Sequence, residues 1–162
     1  MRPFLAIALL VSLGRVVLSA SPEYRSMGPD IFDREAPAET LIKAALTRAA
    51  KEDRKVLLLF GANWCPWCRR LHAALAGDPV VRARLRGKFV LVFVDANTRN
   101  DKHRNAAVIE RYGNPLQFGL PVFVVLDSAG KQLTTRETAS LAADTNEKVA
   151  ERVVAFLDEW AK

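Results

Sequence analysis

The stretch Val56-Leu57-Leu58-Leu59-Phe60-Gly61-Ala62-Asn63-Trp64-Cys65-Pro66-Trp67-Cys68 decides how this 162-residue chain folds. Its first five residues are apolar and stop at Gly61, the pattern of a short strand covered on both faces in a parallel sheet. Its end opens a helix, because Cys68, Leu71, His72 and Leu75 recur at i, i+3, i+4 and i+7 before Gly77 stops the run. Two cysteines therefore stand where a buried strand turns into a helix. Unpaired backbone N–H groups and the positive end of the helix dipole stabilise a thiolate there. Cys65, at the exposed start of the turn, is expected to have a lowered pKa and to attack a disulfide, with the more shielded Cys68 resolving the mixed disulfide.

The flanks supply the rest of a domain. Upstream, Leu41, Ile42, Ala45, Leu46 and Ala49 follow helical spacing over 38–52. Downstream, Asp78 caps a short helix with Pro79 at its first position, and Phe89–Val94 is a second apolar strand ending on Asp95. A helix is expected over 101–112, with Val108 and Tyr112 on one face and Gly113 and Pro115 closing it. Val122–Leu126 is a third apolar strand, joined by the turn at 127–130 to a weaker one over 131–136. Val149, Val153, Phe156 and Trp160 mark a last helix, with Asp144 and Glu147 as candidate caps. A parallel βαβ unit followed by a ββα unit gives an α/β fold, a three-layer α/β/α sandwich with a mixed central sheet.

Two cysteines so close together do not make the disulfide framework of a small secreted fold, so their purpose is local chemistry. The alternatives to redox exchange are a local structural disulfide and a metal site. A structural zinc site needs four ligands, and the chain offers Cys65, Cys68, His72 and a distant His103. A Cu(I) carrier using Cys65 and Cys68, with His72 one turn on, is the second reading, and a non-catalytic interaction module the third. His72 reads as a partly buried helix residue and His103 as an exposed one. Arg69 is at most modulatory, and Asp95 reads mainly as a turn or cap residue. No metal and no cofactor are assigned.

The segment Trp64-Cys65-Pro66-Trp67-Cys68 resembles the active-site motif of the thioredoxin-like superfamily, and Gly119-Leu120-Pro121-Val122 resembles its cis-proline segment. The resemblance covers roughly residues 38 to 161. It implies a thiol-disulfide oxidoreductase with Cys65 and Cys68 catalytic. It also implies that Pro121 is cis and faces the Cys65 sulfur, and that Leu120 offers its backbone to an extended substrate. Trp64 would pack beside the site, and Pro66 and Trp67 would belong to the contact surface. The buried Asp that the family places six residues before its first cysteine is Leu59 here. The stretch 96–118 is longer than in thioredoxin, and 113–118 is the candidate for substrate selection. Protein thiols and disulfides are the expected partners, with an electron donor or acceptor the sequence does not name. Reduction is favoured over oxidation on overall likeness to thioredoxin.

Residues 1–20 differ from the rest: Arg2 precedes an apolar run over 4–13, and Ala20 offers a small residue for cleavage. Gly14 and Arg15 interrupt that run well short of the roughly 20 apolar residues a bilayer span needs. A cleaved signal peptide is expected, with the mature protein a monomer in the periplasm or outside the cell and without stable membrane contact. Residues 21–37, rich in Pro, Ser, Gly and charge, read as a linker or loosely ordered arm before the domain at 38–162. The formal net charge of +6 is spread among acids, and the cluster Arg82, Arg84, Arg86 and Lys88 has no aromatic interleaving. A nucleic-acid partner is therefore not expected.

Overall fold

The computed structural model describes residues 27–100 and 102–162. The signal peptide expected at 1–20 lies outside them. In chain order the elements are α1 (Ala38–Glu52), β1 (Lys55–Gly61), α2 (Pro66–Gly77), α3 (Pro79–Lys88), β2 (Phe89–Asp95), α4 (Ala106–Arg111), β3 (Val122–Leu126), β4 (Gln132–Glu137) and α5 (Asn146–Trp160). Short 3-10 turns occupy Pro115–Phe118 and Ala139–Leu141. No helix among the described residues is long and apolar enough to cross a membrane.

The sheet order is β2-β1-β3-β4. β1 runs parallel to β2, with Lys55 opposite Phe89 and Gly61 opposite Asp95, and antiparallel to β3, with Val56 opposite Leu126. β4 closes the mixed sheet antiparallel to β3. Because successive side chains on a strand point to opposite faces, the all-apolar β1 feeds two cores. Leu57 and Leu59 meet α2, α3 and α5, while Val56, Leu58 and Phe60 meet α1 and α4. The motif strand is thus central, and it delivers the cysteines to one end of the sheet.

Side-chain caps set the helix starts. The Asp78 carboxylate accepts from the Val80 and Val81 N–H groups at 2.8 and 2.9 Å, as its position before Pro79 implies. α5 is capped by neither Asp144 nor an acid acting alone: Thr145 is the N-cap, and its hydroxyl accepts from the Lys148 N–H. The helix expected over 101–112 is shorter, Ala106–Arg111. Asn105 takes a left-handed conformation, donates to the Asp95 carbonyl and accepts from the Ala38 N–H, so the preceding residues serve as a tied loop.

The larger difference concerns the arm. It is anchored rather than loose at Ile31 and Phe32, and Phe32 is fully buried in the core that holds both cysteines. Asn63 is the reason. Its Oδ1 accepts from the Ile31 and Phe32 N–H groups at 2.8 and 2.9 Å, and its Nδ2 donates to the Phe32 carbonyl at 2.9 Å. Gly61 leaves the room: a Cβ there would lie 2.2 Å from the Phe32 ring and 3.0 Å from Cys68 Sγ.

Candidate active site

Cys65 is the N-cap of α2, in extended conformation, with Pro66 supplying the first helical residue. Pro costs nothing there, since its missing N–H has no intrahelical partner anyway. The Cys68 N–H, one of the orphan donors of the first turn, points at Cys65 Sγ from 3.2 Å. Both cysteines are free thiols. Cys68 sits behind Cys65 and is wholly buried.

The two sulfurs titrate in opposite directions. The Cys65 thiol is lowered to about 7, chiefly by its bond with the Cys68 thiol and then by the Cys68 and Trp67 N–H groups and the charge of Arg99, against burial. The Cys68 thiol is pushed far up, because it gives its proton to Cys65 and is desolvated. Leu59, where the family has an acid, is fully buried in the same core as Cys68.

Leu120–Pro121 is a cis peptide bond. The Leu120 carbonyl approaches Cys65 Sγ to 3.7 Å. Cys65 is only 3 % exposed, where the sequence places it at an exposed turn. The Leu120 segment covers its sulfur, and half-buried Trp64 and Leu120 pack against the surrounding core. Trp67 is exposed by half its surface. With Leu71, Phe118, Leu120 and Pro121 it lines an apolar groove of about 230 Å³ beside the dithiol. Thr138 supports the groove by donating to the Pro121 carbonyl. Pro66 is exposed at the helix start.

Of the 113–118 segment, Phe118 reaches this groove, whereas Gly113, Asn114 and Leu116 border a different depression with Arg104 and Ile109. His72 packs edge-on against Phe93, ring centroids 5.7 Å apart, and burial lowers its pKa. Among the described residues no group of three or more His, Cys, Asp or Glu side chains is placed to hold a metal ion. Half-buried Arg69 is not aimed at the thiols: it donates to the Asn63 and Pro29 carbonyls and ties down the arm. Asp95 is buried and faces Arg104 at 3.5 Å, with its carboxyl pushed up by burial.

Three residues that sequence reasoning missed shape the site. Asn97 accepts from Trp64 Nε1 at 2.8 Å and from the Arg99 N–H at 3.0 Å, and the Arg99 guanidinium lies 3.7 Å over the Trp64 ring. Asn63 anchors the arm under the motif. Asn97 and Arg99 lie in a loop without periodicity, and no sequence signal singles them out. Asn63 sits inside the quoted stretch, yet its partners are 31 and 32 residues away.

A strand–Cys-x-x-Cys–helix unit facing a cis-proline is the geometry shared by thioredoxin folds, and comparison with known proteins agrees. The family model described as Thioredoxin-like matches residues 38–128. The chain belongs to the thioredoxin-like family. Its fold also matches that family's solved structures. A disulphide isomerase from Xylella fastidiosa Temecula1 superposes with a TM-score of 0.70 at 29 % identity, over 82 % of this chain and 98 % of that one. The C-terminal domain of Neisseria meningitidis DsbD, in its oxidised form, shares the fold with a TM-score of 0.54 at 22 % identity, over 76 % of this chain and 96 % of that one. Among curated proteins, the thiol:disulfide interchange protein DsbD of Ralstonia nicotianae is 26 % identical over 136 residues, 84 % of this chain. This thioredoxin-like chain spans only 21 % of that relative's length.

Proposed function

We propose that the protein is an exported thiol-disulfide oxidoreductase that reduces disulfides in other proteins. The observation that carries the reading is the asymmetric dithiol: Cys65 Sγ held by the Cys68 N–H at 3.2 Å, its thiol lowered to about 7, and Cys68 buried and protonated behind it. The Cys65 thiolate attacks one sulfur of a substrate disulfide, forming a mixed disulfide and releasing one substrate thiolate. Cys68 gives up its proton to the released thiolate and attacks Cys65 Sγ, and the second substrate thiolate that this frees takes its proton from solvent. The substrate leaves as a dithiol with two electrons, and the Cys65–Cys68 disulfide remains. A partner dithiol then restores the reduced state. Trp64 and Pro66 support the motif from either side of Cys65, while Trp67, Leu120 and Pro121 receive the substrate segment.

The relatives named for disulfide interchange and isomerisation support the class of reaction. The reducing direction rests on the overall likeness of the motif and the cis-proline segment to those of thioredoxin. Export is supported by the leader-like composition of 1–20.

Equilibrating the protein in glutathione buffers, with alkylation to count thiols, tests the reading. A potential near about −270 mV is expected, and one near about −120 mV would reverse the direction. A pair that does not cycle, or that bound Cu(I) shields from alkylation, would replace the enzyme by a metal carrier.

A further inference from the structure

Both tryptophans of the motif carry an arginine. The Arg99 guanidinium lies 3.7 Å from the Trp64 ring centroid and the Arg70 guanidinium 5.4 Å from that of Trp67. Neither arrangement is incidental to the local hydrogen bonding. A single Asn97 oxygen accepts from both the Trp64 indole at 2.8 Å and the Arg99 backbone N–H at 3.0 Å, which sets the Arg99 backbone beside the ring its side chain covers. Arg70 donates to the Asp144 backbone carbonyl. Among the described residues lining the groove there is no Asp or Glu. The acid that ends β2, Asp95, is buried against Arg104.

Arg99 is solvent-exposed, and its charge reaches Cys65 closely enough to favour the thiolate. A guanidinium over the face of an indole still has N–H donors to offer a carboxylate, and the contact places it before the substrate arrives. A disulfide approaching Cys65 therefore meets two positioned cations, and no acid among the described residues that line the groove.

We infer that Arg99 is a specificity-determining residue that selects disulfides flanked by negative charge, with Arg70 as its counterpart at the groove. This rests on the oxidoreductase reading above. In each turnover the Cys65 thiolate bonds to one substrate sulfur and the other leaves as a thiolate. Cys68 then displaces the first, so the substrate gains two electrons and the dithiol loses them.

The test mixes the reduced protein with either glutathione disulfide, which is net anionic, or cystamine, which is cationic, at low and high salt. Glutathione disulfide should react faster with the wild type, and the preference should shrink as salt screens the charges. Arg99→Gln should lower the ratio of the two rates about threefold, the scale of one exposed charge pair. Arg99→Lys should keep the ratio, which a purely packing role for the guanidinium would not. An Arg99→Gln ratio and salt dependence equal to the wild type's would overturn the inference and leave the enzyme intact. A wild type that exchanges with neither disulfide would sink the oxidoreductase reading, and this inference with it.

Discussion

Cys65 and Cys68 are one chemical group in two environments, and the proposed division of labour rests on the difference. Cys65 caps a helix and receives a backbone N–H, so its charged form is favoured; Cys68 is wholly buried in the core that also holds Leu59, Leu71 and Phe32, so its neutral form is. Since the Cys65 thiol is lowered to about 7 from 9.0, it keeps its proton below that pH and is a thiolate above it. Alkylation of the reduced protein should accelerate as pH rises through about 7 and level off well before 9, with modification confined to Cys65. A midpoint near the ordinary thiol value would mean that the cap does not act on the sulfur. The placement of the two cysteines at a helix start is legible in the sequence because the spacing and the strand-to-helix boundary determine it locally. The burial of Cys65 is not, since it depends on Leu120, 55 residues on.

At the scale of elements, the arm is the clearest departure from periodicity-based expectation. Its residues show neither helical nor strand period, and its hold on the domain is made of side-chain bonds from Asn63 and one aromatic ring in a gap left by Gly61. Helices and strands with strong patterns, such as β1 and α5, were readable because burial repeats along them; an anchored loop repeats nothing. Asn63→Ala leaves buried backbone groups at Phe32 without partners and should cost about 2–4 kcal/mol in denaturant unfolding. Phe32→Ala should cost about 3–5 kcal/mol. Because Phe32 packs in the core of Cys68, the Phe32 variant should also raise the alkylation of Cys68. Unchanged stability in both variants would show the arm to be a passenger.

Over the whole molecule, the sheet divides two apolar cores, and the one beside α2, α3 and α5 carries the chemistry. Its far wall is α5, where Phe156 is buried and stacks on Phe123 at 5.4 Å, while Arg84 and Asp158 form an exposed ion pair between α3 and α5. Burial outweighs the ion pair. Phe156→Ala should cost about 3–5 kcal/mol, and Asp158→Asn less than about 1 kcal/mol, both read from urea midpoints. A larger loss from Asp158→Asn would mean that the layer is held by charge. The three inner strands of the mixed sheet were legible because β1, β2 and β3 are nearly continuous apolar runs, whereas the half-exposed, polar β4 is weaker in the sequence and the loop that brings Asn97 and Arg99 to Trp64 obeys no period. The whole arrangement serves one claim, that Cys65 attacks and Cys68 resolves. Its most direct test is peptide mass mapping of the Cys68→Ser protein after incubation with a disulfide-containing protein. The account predicts a stable mixed disulfide on Cys65, absent from the Cys65→Ser protein. A Cys68→Ser protein that forms no adduct, or a Cys65→Ser protein that forms one on Cys68, would contradict it.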